Sequence, residues 1–155
     1  MDVHDKATRS RNMKAIKSRD TKPEMIVRRA LHSHGFRYRI APENLAGKPD
    51  VWLAKWNAAI FVHGCFWHMH SCKAFRLPGT RQEFWQRKLE GNRKRDQDKN
   101  RQLIDEGKRV LIVWECALKG AGAIPSPTLV LLIKTFLSTG FKHAEITSEG
   151  LINIG

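Results

Sequence analysis

The sequence predicts one α/β domain of the α+β kind, a small mixed central sheet flanked by helices. Three observations carry that expectation. Residues 109–114 read RVLIVW, a short unbroken apolar run of the type found in a buried central strand. Helix start signals at Thr21, Thr80 and Ser126, and stop signals at Gly35, Gly107 and Gly140, interleave with a few strand-like segments. The length of 155 residues is that of one ordinary domain. Such a domain buries roughly 68–70% of its unfolded surface, enough for a core.

The elements follow in order. Residues 5–18 read as a basic helix whose few apolar positions are Ala7, Met13, Ala15 and Ile16. A second helix starts at Thr21, with Thr21 and Glu24 at capping-box spacing, Pro23 in the first turn and Gly35 at the stop. Phe36–Ile40 (FRYRI) alternates like an exposed strand, and 41–49 form a Pro/Gly loop. Val51–Trp56 and Ala58–His63 read as two strands joined around Lys55–Asn57. Residues 64–79 fit neither period. A long helix begins at Thr80, with Thr80 and Glu83 again at capping-box spacing, and Gly107 closes it. Ser126 and Pro127 open a last helix over 128–139 that Gly140 ends, and short strands near 144–147 and 151–154 finish the chain.

The chain carries 28 Lys+Arg against 15 Asp+Glu, a formal net charge of +13. That charge sits in two blocks: residues 1–40 hold 11 basic and 4 acidic residues, and 73–109 hold 12 and 6. The segments 41–72 and 110–155 are balanced. Two basic blocks around a neutral middle form the footprint of a nucleic-acid binder, because each neutralised phosphate releases counterions. A solvated basic surface without a partner is the plainer reading of the charge. A hydrophobic content of 41% argues against disorder. No apolar run reaches the ~18 residues of a membrane span, and the N-terminal residues have no apolar signal core. Three cysteines make a poor disulfide framework. The expectation is a cytoplasmic protein with a polyanionic partner and no membrane.

Cys65, His70 and Cys72 place three soft ligands within eight residues, and Cys116 follows the apolar strand. Three thiolates and an imidazole make a closed tetrahedral Zn2+ site, which would staple the irregular 64–79 segment to the end of that strand. Four good ligands leave no open position, so such a zinc is structural and not catalytic. The alternative is three ordinary buried cysteines and a surface histidine.

Asp50 is one of two acids in 41–72 and stands at the start of a strand. A carboxylate there suits Mg2+, which prefers hard oxygens, keeps several waters and needs few protein ligands. A bound Mg2+ can activate water and neutralise charge on a phosphorane. His63 ends the next strand and His68 follows five residues on, and both can act as acid or base near neutral pH. Glu24 either orients a water or only caps its helix. Read singly, Asp50 is equally a turn residue and His63 a structural histidine. Phe66, Trp67 and Trp85 are either core residues or surface rings that stack on bases and wedge between base steps. Met13 is a further wedge candidate.

The segments MDVHDKATRSRNMKAIKSRDT, GKPDVW, IFVHGCFWHMHSC, TRQEFWQRKLEGN and VLIVWECAL resemble the very-short-patch-repair (Vsr) mismatch endonucleases of bacteria, over about four-fifths of the chain. The resemblance implies a restriction-endonuclease-like fold in a single endonuclease domain over 1–155, with residues 1–20 as a basic arm on DNA. It implies a Mg2+-dependent nick on the 5′ side of the thymine in a T·G mismatch, the lesion left by deaminated 5-methylcytosine. By position, Asp50 matches the magnesium-binding aspartate and Val62 the residue that offers its backbone carbonyl to the metal. His63 and His68 match the active-site histidines, with His68 as general base, and Glu24 matches the accessory acid. Cys65, His70, Cys72 and Cys116 match the structural zinc ligands. Phe66, Trp67 and Trp85 match the intercalating aromatics, with Met13 entering from the minor groove. Lys88 and Asn92 match residues that touch the mismatched pair. The family carries Thr where this chain has Val62, a change that a backbone carbonyl ligand tolerates. Met69 and Ser71 interrupt a His-rich stretch and spare the zinc ligands.

A T·G site has no two-fold symmetry, so a monomer is expected, with mismatch-repair proteins as partners by analogy alone. Two other classes share the same features. One is a zinc-stapled DNA-binding module without catalysis. The other is a restriction-type endonuclease that cuts matched sites in both strands.

Overall fold

The computed structural model describes residues 20–72 and 75–155. The predicted basic helix and Met13 lie outside the described residues. The elements run α1 (Lys22–Ser33), β1 (Val51–Leu53), β2 (Ala58–His63), α2 (Gln82–Asp105), β3 (Arg109–Trp114), α3 (Ser126–Ser138), β4 (His143–Thr147) and β5 (Gly150–Asn153). The five strands form one mixed sheet in the order β1-β2-β3-β4-β5. The central pairs β2–β3 and β3–β4 are parallel, and the outer pairs are antiparallel. The expected mixed sheet flanked by helices is therefore present.

Strand alternation divides the core between two faces. Ala58 and Ile60 of β2, with Leu111 and Val113 of β3, pack against Val27 and Leu31 of α1 and Leu129, Ile133 and Phe136 of α3. Ala59, Phe61, Val110, Ile112 and Trp114 face the other way, onto Leu103 of α2, Leu45 and Cys65. Burial of roughly this kind supplies the main stabilising term. By contrast, α2 is about 36 Å long at 1.5 Å per residue, yet of its side chains only Leu89, Asn100 and Leu103 are buried. Most of its basic surface stays in water. No helix among the described residues is long and apolar enough to cross a membrane.

Several element boundaries differ from expectation for physical reasons. Thr21 caps α1 by accepting from the Glu24 N–H at 3.4 Å, and the Glu24 carboxylate reaches back to the Asp20 N–H at 2.7 Å. Phe36–Ile40 is not a strand: only Arg39 pairs, with Trp52, through two backbone bonds of 3.0 and 2.8 Å. The segment is held by side chains instead, with Phe36 against Trp56 at 5.3 Å and the Tyr38 hydroxyl donating to the Arg28 carbonyl. The first strand stops at Leu53, because residues 54–56 form a 3-10 turn closed by Asn57 in the left-handed region. The long helix starts at Gln82 without a side-chain cap. Arg81, left-handed at φ 55°, takes the cap position, which puts Thr80 and Glu83 one residue out of capping register. Gly107, at φ 85°, ends α2 as expected, with the Lys108 N–H reaching the Leu103 carbonyl.

Gly140 is not what terminates α3. The chain turns extended at Thr139, and the Arg109 guanidinium covers that end, donating to the carbonyls of Phe136, Leu137, Thr139 and Phe141 while lying over the Phe136 ring at 4.5 Å. One side chain thus satisfies the helix end's orphan acceptors and ties α3 to β3. Replacing Arg109 by Met should lower the unfolding free energy by roughly 2–4 kcal/mol, because charged donors are lost from half-buried carbonyls. Urea denaturation read by circular dichroism measures this.

Candidate active site and metal centre

β1 is only three residues long, so its ladder with β2 ends at the Val51–Ile60 pair. The Val62 N–H runs beyond that end, and the Asp50 carboxylate takes it up at 2.6 Å. The N–H and C=O of a strand residue project to the same edge, so the Val62 carbonyl faces the same gap. Beside Asp50 stands Glu24, 4% exposed and held by Arg28 at 3.0 Å. Burial pushes the Asp50 carboxyl up to about 7; the Val62 N–H pulls it down and Glu24 pushes it up again. A carboxyl in that state is one a divalent cation would relieve.

His63 closes β2 on the same face as Phe61. It is 6% exposed, and burial, aided by repulsion from His68, pushes its pKa down to about 3, so the ring is neutral. Its Nδ1 is buried with no hydrogen-bond partner among the described residues. The His68 ring stacks on it at 3.8 Å and 3°. His68 Nδ1 contacts the Asp96 carboxylate on α2, and since that carboxylate accepts, Nδ1 carries the proton and Nε2 is left as the basic nitrogen. The turn that places His68 is fixed by its N–H on the Gly64 carbonyl and by Met69 in the left-handed region.

The same turn sends its other side to the cysteines. The ligand atoms of Cys65, His70, Cys72 and Cys116 all lie within 4.8 Å of one another. The His70 Nδ1 stands 3.5 Å from the Cys65 sulfur and 3.7 Å from that of Cys116. A tetrahedral ion with nitrogen and sulfur ligands at ordinary bond lengths requires about 3.6 Å, so the four residues fit such an ion. Burial pushes the Cys65 thiol well up, a cost that a bound cation would cancel. Trp114 separates the two clusters: its ring stacks on His70 at 4.0 Å and meets His63 edge-on at 5.3 Å. Its indole N–H is fixed by Glu145 at 2.8 Å.

Phe66, Trp67 and Trp85 belong to neither core cluster and instead pack on one another at 5.1–6.0 Å. Trp67 is 41% exposed, and Phe84 extends the group. The Lys88 ammonium lies 5.7–5.9 Å above the rings of Trp67, Phe84 and Trp85. Asn92 donates to the Trp67 carbonyl at 3.3 Å. Trp67 also lines a cleft of about 1010 Å3 shared by Glu24, Asp50, Val62, His63, His68 and Asp96. Among the described residues, every predicted site position therefore falls in that cleft, in the aromatic platform on its wall or in the cysteine cluster behind it. Sequence reasoning missed Asp96 and Trp114. The four-residue spacing Lys88–Asn92–Asp96 on one helix face was the available signal for Asp96.

Comparisons with known proteins converge on one family. A family model described as DNA mismatch endonuclease Vsr matches residues 1–74. The chain is 41% identical over 150 residues to the DNA mismatch endonuclease Vsr of Escherichia coli (strain K12), covering 97% of this chain and 96% of that relative. It is 45% identical over 112 residues to the type II nicking enzyme V.XorIIP of Xanthomonas oryzae pv. oryzae, covering 72% and 82% of the two chains. It is 42% identical over 118 residues to the type II nicking enzyme V.NmeAIP of Neisseria meningitidis, covering 76% and 84%.

Two outcomes follow from this geometry. Purified protein should carry about one tightly held metal ion per chain, and Cys116→Ser should hold well under half of that by elemental analysis. Asp50 gives a pH dependence of known sign. The folded chain holds a proton from about pH 4 to about 7 that the unfolded chain has lost, so Asp50's contribution to metal-free stability is lost as pH rises through about 7. Added Mg2+ must displace that proton, so its stabilisation in thermal melts should be small at pH 5.5 and larger at pH 8, and Asp50→Asn should remove the difference.

Proposed function

The chain belongs to the Vsr family of DNA mismatch endonucleases, and from that premise we propose that it nicks one strand of duplex DNA on the 5′ side of the thymine in a T·G mismatch. The observation that carries this reading is the common cleft. It joins a buried carboxylate pair, a carboxylate-held histidine and an exposed aromatic ring, Trp67. A single domain over 1–155, with residues 1–20 as an arm on DNA, and a restriction-endonuclease-like arrangement of the β1–β2 hairpin are part of the same proposal.

Asp50 and the Val62 carbonyl would hold Mg2+, which when bound polarises the scissile phosphate and supplies an activated water. Val62 would contribute only its backbone to the metal, so a change of its side chain, which packs against the core, spares that contact. His68 takes the proton from the attacking water at Nε2, and Asp96 fixes the tautomer that leaves Nε2 basic. His63, neutral and stacked on His68, keeps that ring in plane. Glu24 sits close enough to Asp50 to share a proton with it, and orients water on the metal side. Cys65, His70, Cys72 and Cys116 would hold Zn2+ as a closed structural site that carries no chemistry.

Selectivity then comes from the platform. Phe66, Trp67 and Trp85 enter the stack beside the mispair, where opening a step costs less than in matched DNA. Lys88 and Asn92, on the same helix face and both against Trp67, would touch the opened pair. One chain per site suits a lesion without two-fold symmetry.

Asp50→Ala should reduce nicking of a T·G duplex by at least about 10^3-fold and leave mismatch binding in place. Asp96→Asn should cost about 10-fold or more in the single-turnover rate, with DNA affinity kept. Parallel assays on T·G and T·A duplexes decide the activity class. Equal cutting of both strands of a T·A duplex would mark a restriction nuclease, and binding with no Mg2+-dependent product would mark a non-catalytic module.

A further inference from the structure

A second recess, about 480 Å3 in volume, opens beside the main cleft and shares Glu43, Gly47, Lys48 and Lys99 with it. The loop carrying Lys48 lies directly on α2. A Cβ at Gly47 would stand 3.1 Å from the Phe61 ring and 3.2 Å from the Lys99 Cβ, and Gly47 itself is left-handed at φ 74°. Lys48 is left-handed too, at φ 47°, a conformation that lysine disfavours, and its N–H is tied to the Leu45 carbonyl. The tight approach sets the Lys48 and Lys99 side chains on one rim. Neither ammonium group has a hydrogen-bond or ion-pair partner among the described residues, whereas Lys108 and Lys119 are paired with Glu106 and Glu115. Glu43 is the one carboxylate lining the recess, so two cations face one anion.

We propose that Lys48 and Lys99 form a phosphate subsite that grips the DNA backbone next to the phosphate that is cut. The inference rests on the mismatch-endonuclease reading and adds to it where the strand goes. Strand charges recur about every 3.4 Å along the helix axis, so a phosphate at Asp50 is accompanied by neighbours that need countercharge. The continuous opening from the main cleft into the recess is a path for them. The main cleft is lined by five acidic residues, which disfavour a phosphate there; an adjacent pair of unpaired lysines supplies attraction that does not depend on a bound cation.

The test measures binding of a short duplex with one T·G pair, without divalent metal, as a function of salt. The Lys48→Ala/Lys99→Ala double variant should bind about 10-fold more weakly near 0.1 M salt, with the slope of log Kd against log salt lowered by about 1. Lys142→Ala, a charge outside both openings, should change neither. A neutral methylphosphonate scanned along the cut strand should cost the wild type a similar factor at one position near the mismatch, and cost the double variant nothing more there. An unchanged slope, or a methylphosphonate penalty that persists in the double variant, overturns the subsite. Nicking of the T·G duplex in Mg2+ is scored separately. A wild type that binds as expected but nicks nothing overturns the activity and leaves the phosphate subsite standing.

Discussion

The hydrogen bond from the Val62 N–H to the Asp50 carboxylate organises the candidate active site. Two more residues on β1 would have given Val62 a backbone partner and buried its carbonyl in a ladder. The strand instead ends at Val51, and a side chain completes the pairing. That substitution leaves one oxygen of the carboxylate and the Val62 carbonyl facing a common gap. It also explains why the carboxyl is protonated so easily: it is buried to reach the ladder, and one backbone donor does not compensate the desolvation. The site is therefore built to be uncomfortable without a cation.

Trp114 gives a second dependence. Its ring is shared between His70, in the cysteine cluster, and His63, in the cleft. With Glu145 fixing the indole nitrogen, the ring has little freedom to adapt to one neighbour without disturbing the other. Of the 64–72 turn only the cysteines reach a hydrophobic core cluster, and the turn must place His68 on one side and His70 on the other. A metal ion held by the four cysteine-side ligands would thus also constrain the histidine side through Trp114.

Much of this was legible in the sequence, and the limits are physical. The apolar β3, the hairpin after Asp50 and the cysteine–histidine spacing are local patterns, and each survives in the structure. The misjudged boundaries were set by single residues in unusual conformations: Arg81 displaced the start of α2, and Asn57 closed a turn that shortened β1. No propensity marks an arginine for the left-handed region. FRYRI alternates correctly but had no strand to pair with, because pairing depends on the length of β1 and not on its own pattern. Asp96, Trp114 and Arg109 act through contacts across 27 to 51 residues of chain. Those contacts exist only once the sheet has brought α2, β3 and α3 together.

The aromatic residues show why burial had to be seen rather than inferred. Pattern alone favoured a core position for each of Phe66, Trp67 and Trp85. The structure groups them on the surface, where they bury one another only partly. A loose set of exposed rings would collapse inward or associate with other molecules. Here two features prevent that. The 64–72 turn is backed by the cysteine cluster, and Lys88 holds its ammonium over three of the rings. The rings are thus assembled before DNA arrives. Binding then need not supply the cost of ordering them, and more of the interaction energy is available for opening a base step. In matched DNA that energy is opposed by full stacking and pairing. On the proposed mismatch reading the opposition is weaker at a mispair, and rings already assembled would convert that local weakness of the duplex into selectivity.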